Sequence, residues 1–166
     1  MGTGLQALAL AAALAGALLV PGRLAAVEAR ELPRIAEVAE DFARNCQGCH
    51  RADGTGACRT VPRIRDFVGL FTRIPEGRDY LLRVPGVVWA MLDDARLARV
   101  LNWMLASYSP EQIAPGFTPF TSEEVRRARE RPIANVLEVR SALIAELQRQ
   151  GLLAPGDDGL VSAGCG

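Results

Sequence analysis

Cys46-Gln47-Gly48-Cys49-His50 is the stretch whose residue types and spacing can do chemistry. Two thiols separated by two residues on one helical turn can reach the two vinyl positions along one porphyrin edge. The adjacent histidine then falls beneath the iron, where its imidazole supplies a nitrogen ligand. Two other uses of the string have less support. Structural zinc wants four ligands, yet His50 is the single histidine, and the remaining cysteines, Cys58 and Cys165, stand in dissimilar contexts. A redox dithiol belongs beside a strand and at a helix N-terminus, and nothing in residues 30–60 reads as a strand. The expectation is haem c, attached covalently through Cys46 and Cys49, with its iron held by His50.

The elements that must position this motif all read as helical. Leu32 to Asn45 carries Ile35, Val38 and Phe42 at three- and four-residue intervals, with Pro33 near the first turn. Residues 51–61 read as a loop turned by Asp53-Gly54-Thr55-Gly56. Short helices are predicted over Pro62–Thr72 and Glu76–Arg83, and Pro85-Gly86 breaks the chain. Asp93-Asp94 opens a longer helix, acids at its positive end, with Leu97, Val100, Leu101, Met104 and Leu105 on one face as far as about Tyr108. Pro110, Pro115 and Pro119 mark an extended linker, and Thr121-x-x-Glu124 is a capping box for an arginine-rich helix that Pro132 interrupts. A last helix over Ile133–Gln150 places Val136, Leu137, Ile144 and Leu147 on one side; Gly151 stops it, and the tail to Gly166 reads as loose. No run alternates with a sheet's period. The fold class is all-α.

The first residues read as a targeting segment rather than fold. Leu5 to Val20 is almost wholly Ala, Leu, Val and Gly, then Pro21-Gly22 breaks it and small residues offer cleavage sites. The run is shorter than the ~20 residues of a spanning helix. The organisation expected is a signal peptide or N-terminal anchor at 1–26, a haem domain at 27–108, and a C-terminal helical extension with its tail at 109–166. The protein would be periplasmic, touching a membrane only if the leader is retained. Nineteen acidic residues balance nineteen arginines, with no lysine. No global field therefore favours nucleic acid, and no lysine amine can ligate a metal.

Pro62 stands twelve residues past His50, in Val61-Pro62-Arg63-Ile64. With the cysteine-histidine motif, this resembles the class I c-type cytochrome family over about residues 33–108. The resemblance implies that the Pro62 carbonyl accepts the ring proton of His50, orienting it and raising its basicity. It also implies that the helix before the motif packs on the helix near 93–108, with Phe42 and Trp103 as partners. A typical member supplies a distal methionine from the loop before that last helix. Met91, forty-one residues past His50, is the match, although it lies closer to the helix than is usual. Met104 and an iron without a sixth protein ligand are the other arrangements.

The function implied is single-electron transfer between redox proteins, a dehydrogenase on one side and another cytochrome or oxidase on the other; the chain is a carrier, not an enzyme. A haem subunit fixed in a larger complex and an open-iron protein binding a small gas are the alternatives. Seven arginines against four acids between Arg51 and Arg83 suit either a docking rim or an ordinary solvated face. Cys58 and Cys165 can pair in an oxidising compartment.

Overall fold

The computed structural model describes residues 34–160. The expected leader at 1–26, the last residues of the tail and Cys165 lie outside them. The chain divides into Met1–Ala36 and Glu37–Gly166, and the described residues fall almost wholly in the second unit.

The helical reading holds. Residues 34–45 form α1, whose Val38 and Phe42 are buried while Ile35 is exposed. A one-turn helix, α2 (Gln47–His50), follows directly and carries the motif. The chain then loops to a 3-10 helix over Val68–Arg73, tighter and later than the helix predicted over 62–72. Next come α3 (Pro75–Arg83) and the one-turn α4 (Pro85–Val88). Proline starts both, since its missing N–H costs nothing at a first turn. Pro85 therefore opens a turn of helix rather than a break. Asp93 caps α5 (Asp94–Tyr108) by accepting from the Arg96 amide at 2.8 Å. A single β-bridge, Ala57 to Val61, is the extent of sheet pairing among the described residues. None of their helices is long and apolar enough to cross a membrane.

α1 and α5 meet through aromatics. The Phe42 ring lies 5.3 Å from both Trp103 and Tyr108, and Trp103 meets Tyr108 edge-on at 5.7 Å. Such pairs add about 0.5–1.5 kcal/mol each beyond their buried area. Beside them Asp41, 3% exposed, takes both oxygens to the Arg96 guanidinium at 3.0 and 2.5 Å. One face of α1 is thus held by rings and one buried charge.

The residues after 108 share this core. The capping box of α6 (Ser122–Arg129) forms as predicted, and α6 buries Val125 and Ala128. The last helix, α7 (Val136–Arg149), is three residues shorter at its start than expected. It buries Leu143, Ile144 and Leu147. Leu137, expected on that face, is 73% exposed. It lies one residue past Val136, about 100° round the helix and away from the core-facing stripe.

Arginines fasten this segment to the rest. Arg78 bonds Glu124 at 3.2 and 2.8 Å and the Thr118 carbonyl at 2.7 Å, and its guanidinium lies over Phe120 and Phe117. Arg73 donates to the carbonyls of Glu111, Gln112 and Ile113, and Arg83 to that of Arg131. The proline-rich connection is therefore pinned along its length. The tail is tied as far as 160: Arg63 holds Asp157 at 3.0 and 2.7 Å, and the Arg63 amide donates to the Gly159 carbonyl at 2.9 Å. Gly159, at φ +76°, presses its backbone so close to Phe67 that a Cβ would stand 2.6 Å from the ring. The tail to residue 160 is not loose, and these arginines are chiefly internal fasteners rather than a docking rim.

Candidate cofactor-binding site

The motif helix begins where α1 ends. The Cys46 amide still bonds the Phe42 carbonyl at 2.8 Å, and the amides of Cys49 and His50 bond the Cys46 carbonyl at 3.2 and 3.0 Å. Both thiols are free, Cys46 half-buried and Cys49 exposed. This turn forms part of the wall of a cavity of about 460 Å³, within the range of small-molecule and cofactor sites. Cys46, Cys49, His50 and Pro62 all line it. Much of the rest is hydrocarbon: Phe67, Val84, Val87, Leu101 and Met104 among others.

Pro62 reaches the cavity because the loop before it is drawn tight. The Ala57 amide bonds the Val61 carbonyl at 3.1 Å, and the Gly56 amide bonds the His50 carbonyl at 3.2 Å. Gly56, at φ +77°, has no room for a Cβ, which would lie 2.3 Å from the Val61 oxygen and 2.7 Å from that of Pro62. The glycine lets loop and proline touch, which brings Pro62 into the same cavity wall as His50. Nδ1 of His50 is buried without a formed hydrogen bond. The Pro62 carbonyl is nonetheless near enough to favour the ring's proton, though burial outweighs it and leaves the imidazole's pKa below 6.5. At neutral pH the ring is therefore neutral, the state in which it can ligate a metal.

Cys46 contrasts with the thiol of a redox dithiol. Cys46 is pushed up to about 11, first by burial, then by Asp41 and Cys49, whereas disulfide-exchange cysteines have depressed values. Among the described residues no three His, Cys, Asp or Glu side chains converge as ligands of one ion. Cys46, Cys49 and His50 therefore do not gather round a point as zinc requires. Two thiols along a cavity edge and an imidazole in its wall fit a flat macrocycle instead. Two guanidiniums also line the wall. Arg63 is paired with Asp157, while Arg140 is buried against Phe67 and Phe71 and donates to the Asp158 carbonyl. Sequence reasoning missed Arg140, whose position ninety residues from His50 gave no signal.

Met91 does not join this group. It is 91% exposed, and it is not part of the cavity wall. The reason is local: the next residue, Leu92, enters the core, and Asp93 is committed as the cap of α5. Arg129 fixes the turn further, donating to the carbonyls of Ala90 and Leu92 at 3.0 and 2.7 Å and pairing with Asp94 at 3.0 Å. Met104 lies in the wall, on the buried face of α5. Cys58 is not a free thiol, and its suggested partner Cys165 is outside the described residues.

No known family model matches the chain. It is 28% identical over 125 residues to cytochrome c-552 of Thermus thermophilus, covering 64% of this chain and 92% of the relative. It is equally similar to the cytochrome c-552 of a second Thermus thermophilus strain, over 64% of this chain and 81% of that protein. Together with the helical fold, this homology supports a c-type cytochrome, an electron-transfer haem protein.

Proposed function

We propose that the chain carries one haem c, bonded through Cys46 and Cys49 with iron on His50, and passes single electrons between redox proteins outside the cytoplasm. The observation that carries this is the joint placement of two free thiols and a neutral, half-buried imidazole in the wall of one apolar cavity. When bound, the haem supplies a one-electron couple. The protein's residues do the rest. Cys46 and Cys49 fix the macrocycle's edge, and Pro62 holds the plane of His50. Hydrocarbon from α3, α5 and the 3-10 helix keeps water away, which favours the less charged, reduced iron. Arg63 and Arg140 stand where propionate charges can be met, and each retains donors beyond those already used.

The partners proposed are a dehydrogenase as donor and a cytochrome or oxidase as acceptor, met in the periplasm. The test is export of the full chain with its own leader, followed by intact mass and absorption. A coloured protein heavier by one tetrapyrrole is expected, with covalent attachment lost in the Cys46→Ala/Cys49→Ala variant. A colourless product of unmodified mass refutes the reading.

A further inference from the structure

The segment from which the sequence draws its distal methionine is fastened in the opposite sense. Met91 points to solvent. The carbonyls on either side of it, those of Ala90 and Leu92, are both taken by one guanidinium, that of Arg129, which also pairs with Asp94. Leu92 is buried. Turning Met91 inward would break two charge-assisted hydrogen bonds and an ion pair and pull a leucine from the core. The rest of the chain offers few substitutes. It has one histidine and no lysine. Met104 is in the cavity wall, but it sits mid-helix within the hydrophobic cluster beside Leu101 and Leu105, the setting in which a thioether serves as core filling.

On the reading that haem occupies this cavity, we infer that the iron's sixth position is left without a protein ligand and admits a small neutral diatomic. The class of ligand follows from the wall. Val84, Pro85, Gly86 and Val87 line the cavity, an apolar stretch with no charged side chain. The two guanidiniums in the wall are engaged by Asp157 and by the Asp158 carbonyl. Both are the groups assigned above to the propionates, so neither is left over to hold an anionic guest, and a neutral guest of two atoms fits the apolar surroundings better than a charged one.

Carbon monoxide is the probe, used on the exported, haem-loaded full chain. The expected result is a high-spin spectrum for the reduced protein that converts to a low-spin adduct at one carbon monoxide per haem. Met91→Ala should change the affinity by less than twofold, and Met104→Leu should leave the spin state of the unliganded protein as it was. A reduced spectrum that is low-spin and indifferent to carbon monoxide overturns the inference. So does a low-spin protein that turns high-spin in either methionine variant. Covalent haem is scored separately by mass. Haem present but closed to carbon monoxide sinks this inference alone, whereas absence of haem sinks the cytochrome reading with it.

Discussion

Two leucines on α7, ten residues apart, test whether the C-terminal segment is part of the fold that builds the cavity. Leu147 is 0% exposed and Leu137 is 73% exposed. Leu147→Ala removes fully buried methyl groups and leaves a hole among Ile144, Leu143 and their neighbours. Such truncations cost about 2–5 kcal/mol, and complete burial puts this one near ~3–4 kcal/mol. Leu137→Ala removes carbon already in water and should cost ~0.5 kcal/mol or less. For a unit of this size each kcal/mol moves the midpoint by about 3–5 °C, so Leu147→Ala should melt roughly 10–15 °C below the parent and Leu137→Ala within about 2 °C of it. Thermal unfolding of the haem-loaded protein, followed by far-ultraviolet circular dichroism, measures both. Equal shifts would refute the packing described. A separate early transition confined to the Leu147→Ala variant would show α7 melting by itself, against a shared core.

Three further outcomes are expected. Gly56→Ala should destabilise the protein by more than ~1 kcal/mol, because the position needs positive φ and a methyl group would strike the Val61 and Pro62 carbonyls; Gly48→Ala, with nothing within 4 Å of its Cβ, should be neutral or mildly stabilising in the same melts. Before haem attachment, stability should fall as pH drops below 6.5. The unfolded His50 binds its proton near that value and the half-buried ring only at lower pH, so acid favours the unfolded chain; urea titrations between pH 7 and pH 5 measure this, and a flat profile would contradict the desolvation of His50. In the same haem-free chain at pH 8, Cys46, shifted from 9.0 to about 11, should alkylate ~10-fold more slowly than an unshifted thiol once the greater nucleophilicity of its thiolate is allowed for, with exposed Cys49 labelled first in peptide mass spectra.

What the sequence revealed was local. The motif at 46–50, the helix starts at Asp93 and Thr121 and the spacing of α5 depend on residues within a turn or two of one another, and each is seen in the folded chain. Leu137 and the tail were misread for the opposite reason. Whether a residue of a mildly amphipathic helix faces inward is decided by what packs on it. The order of residues 151–160 comes from Arg63 and Phe67, some ninety positions earlier. Proline and glycine signals at 110–119 announced an extended chain correctly but could not say that Arg73 and Arg78 would hold it.

The arginines make the same point about function. Read as charge along a line, the excess between Arg51 and Arg83 suggested either a surface that steers partners or an ordinary solvated face. In space, Arg63, Arg73, Arg78 and Arg83 turn to residues beyond 108, each through carbonyls or carboxylates that fix a guanidinium's plane. The segment they secure returns Val136 and Arg140 to the cavity wall. Through α7 the chain after Tyr108 therefore completes the cavity rather than decorating it. Arg129 extends the logic to the other side, since the bonds that dock α6 onto the turn at 89–94 are the bonds that keep Met91 in solvent. Extension and distal turn are one mechanical unit: weakening the first is the direct route to changing which atoms the iron can meet.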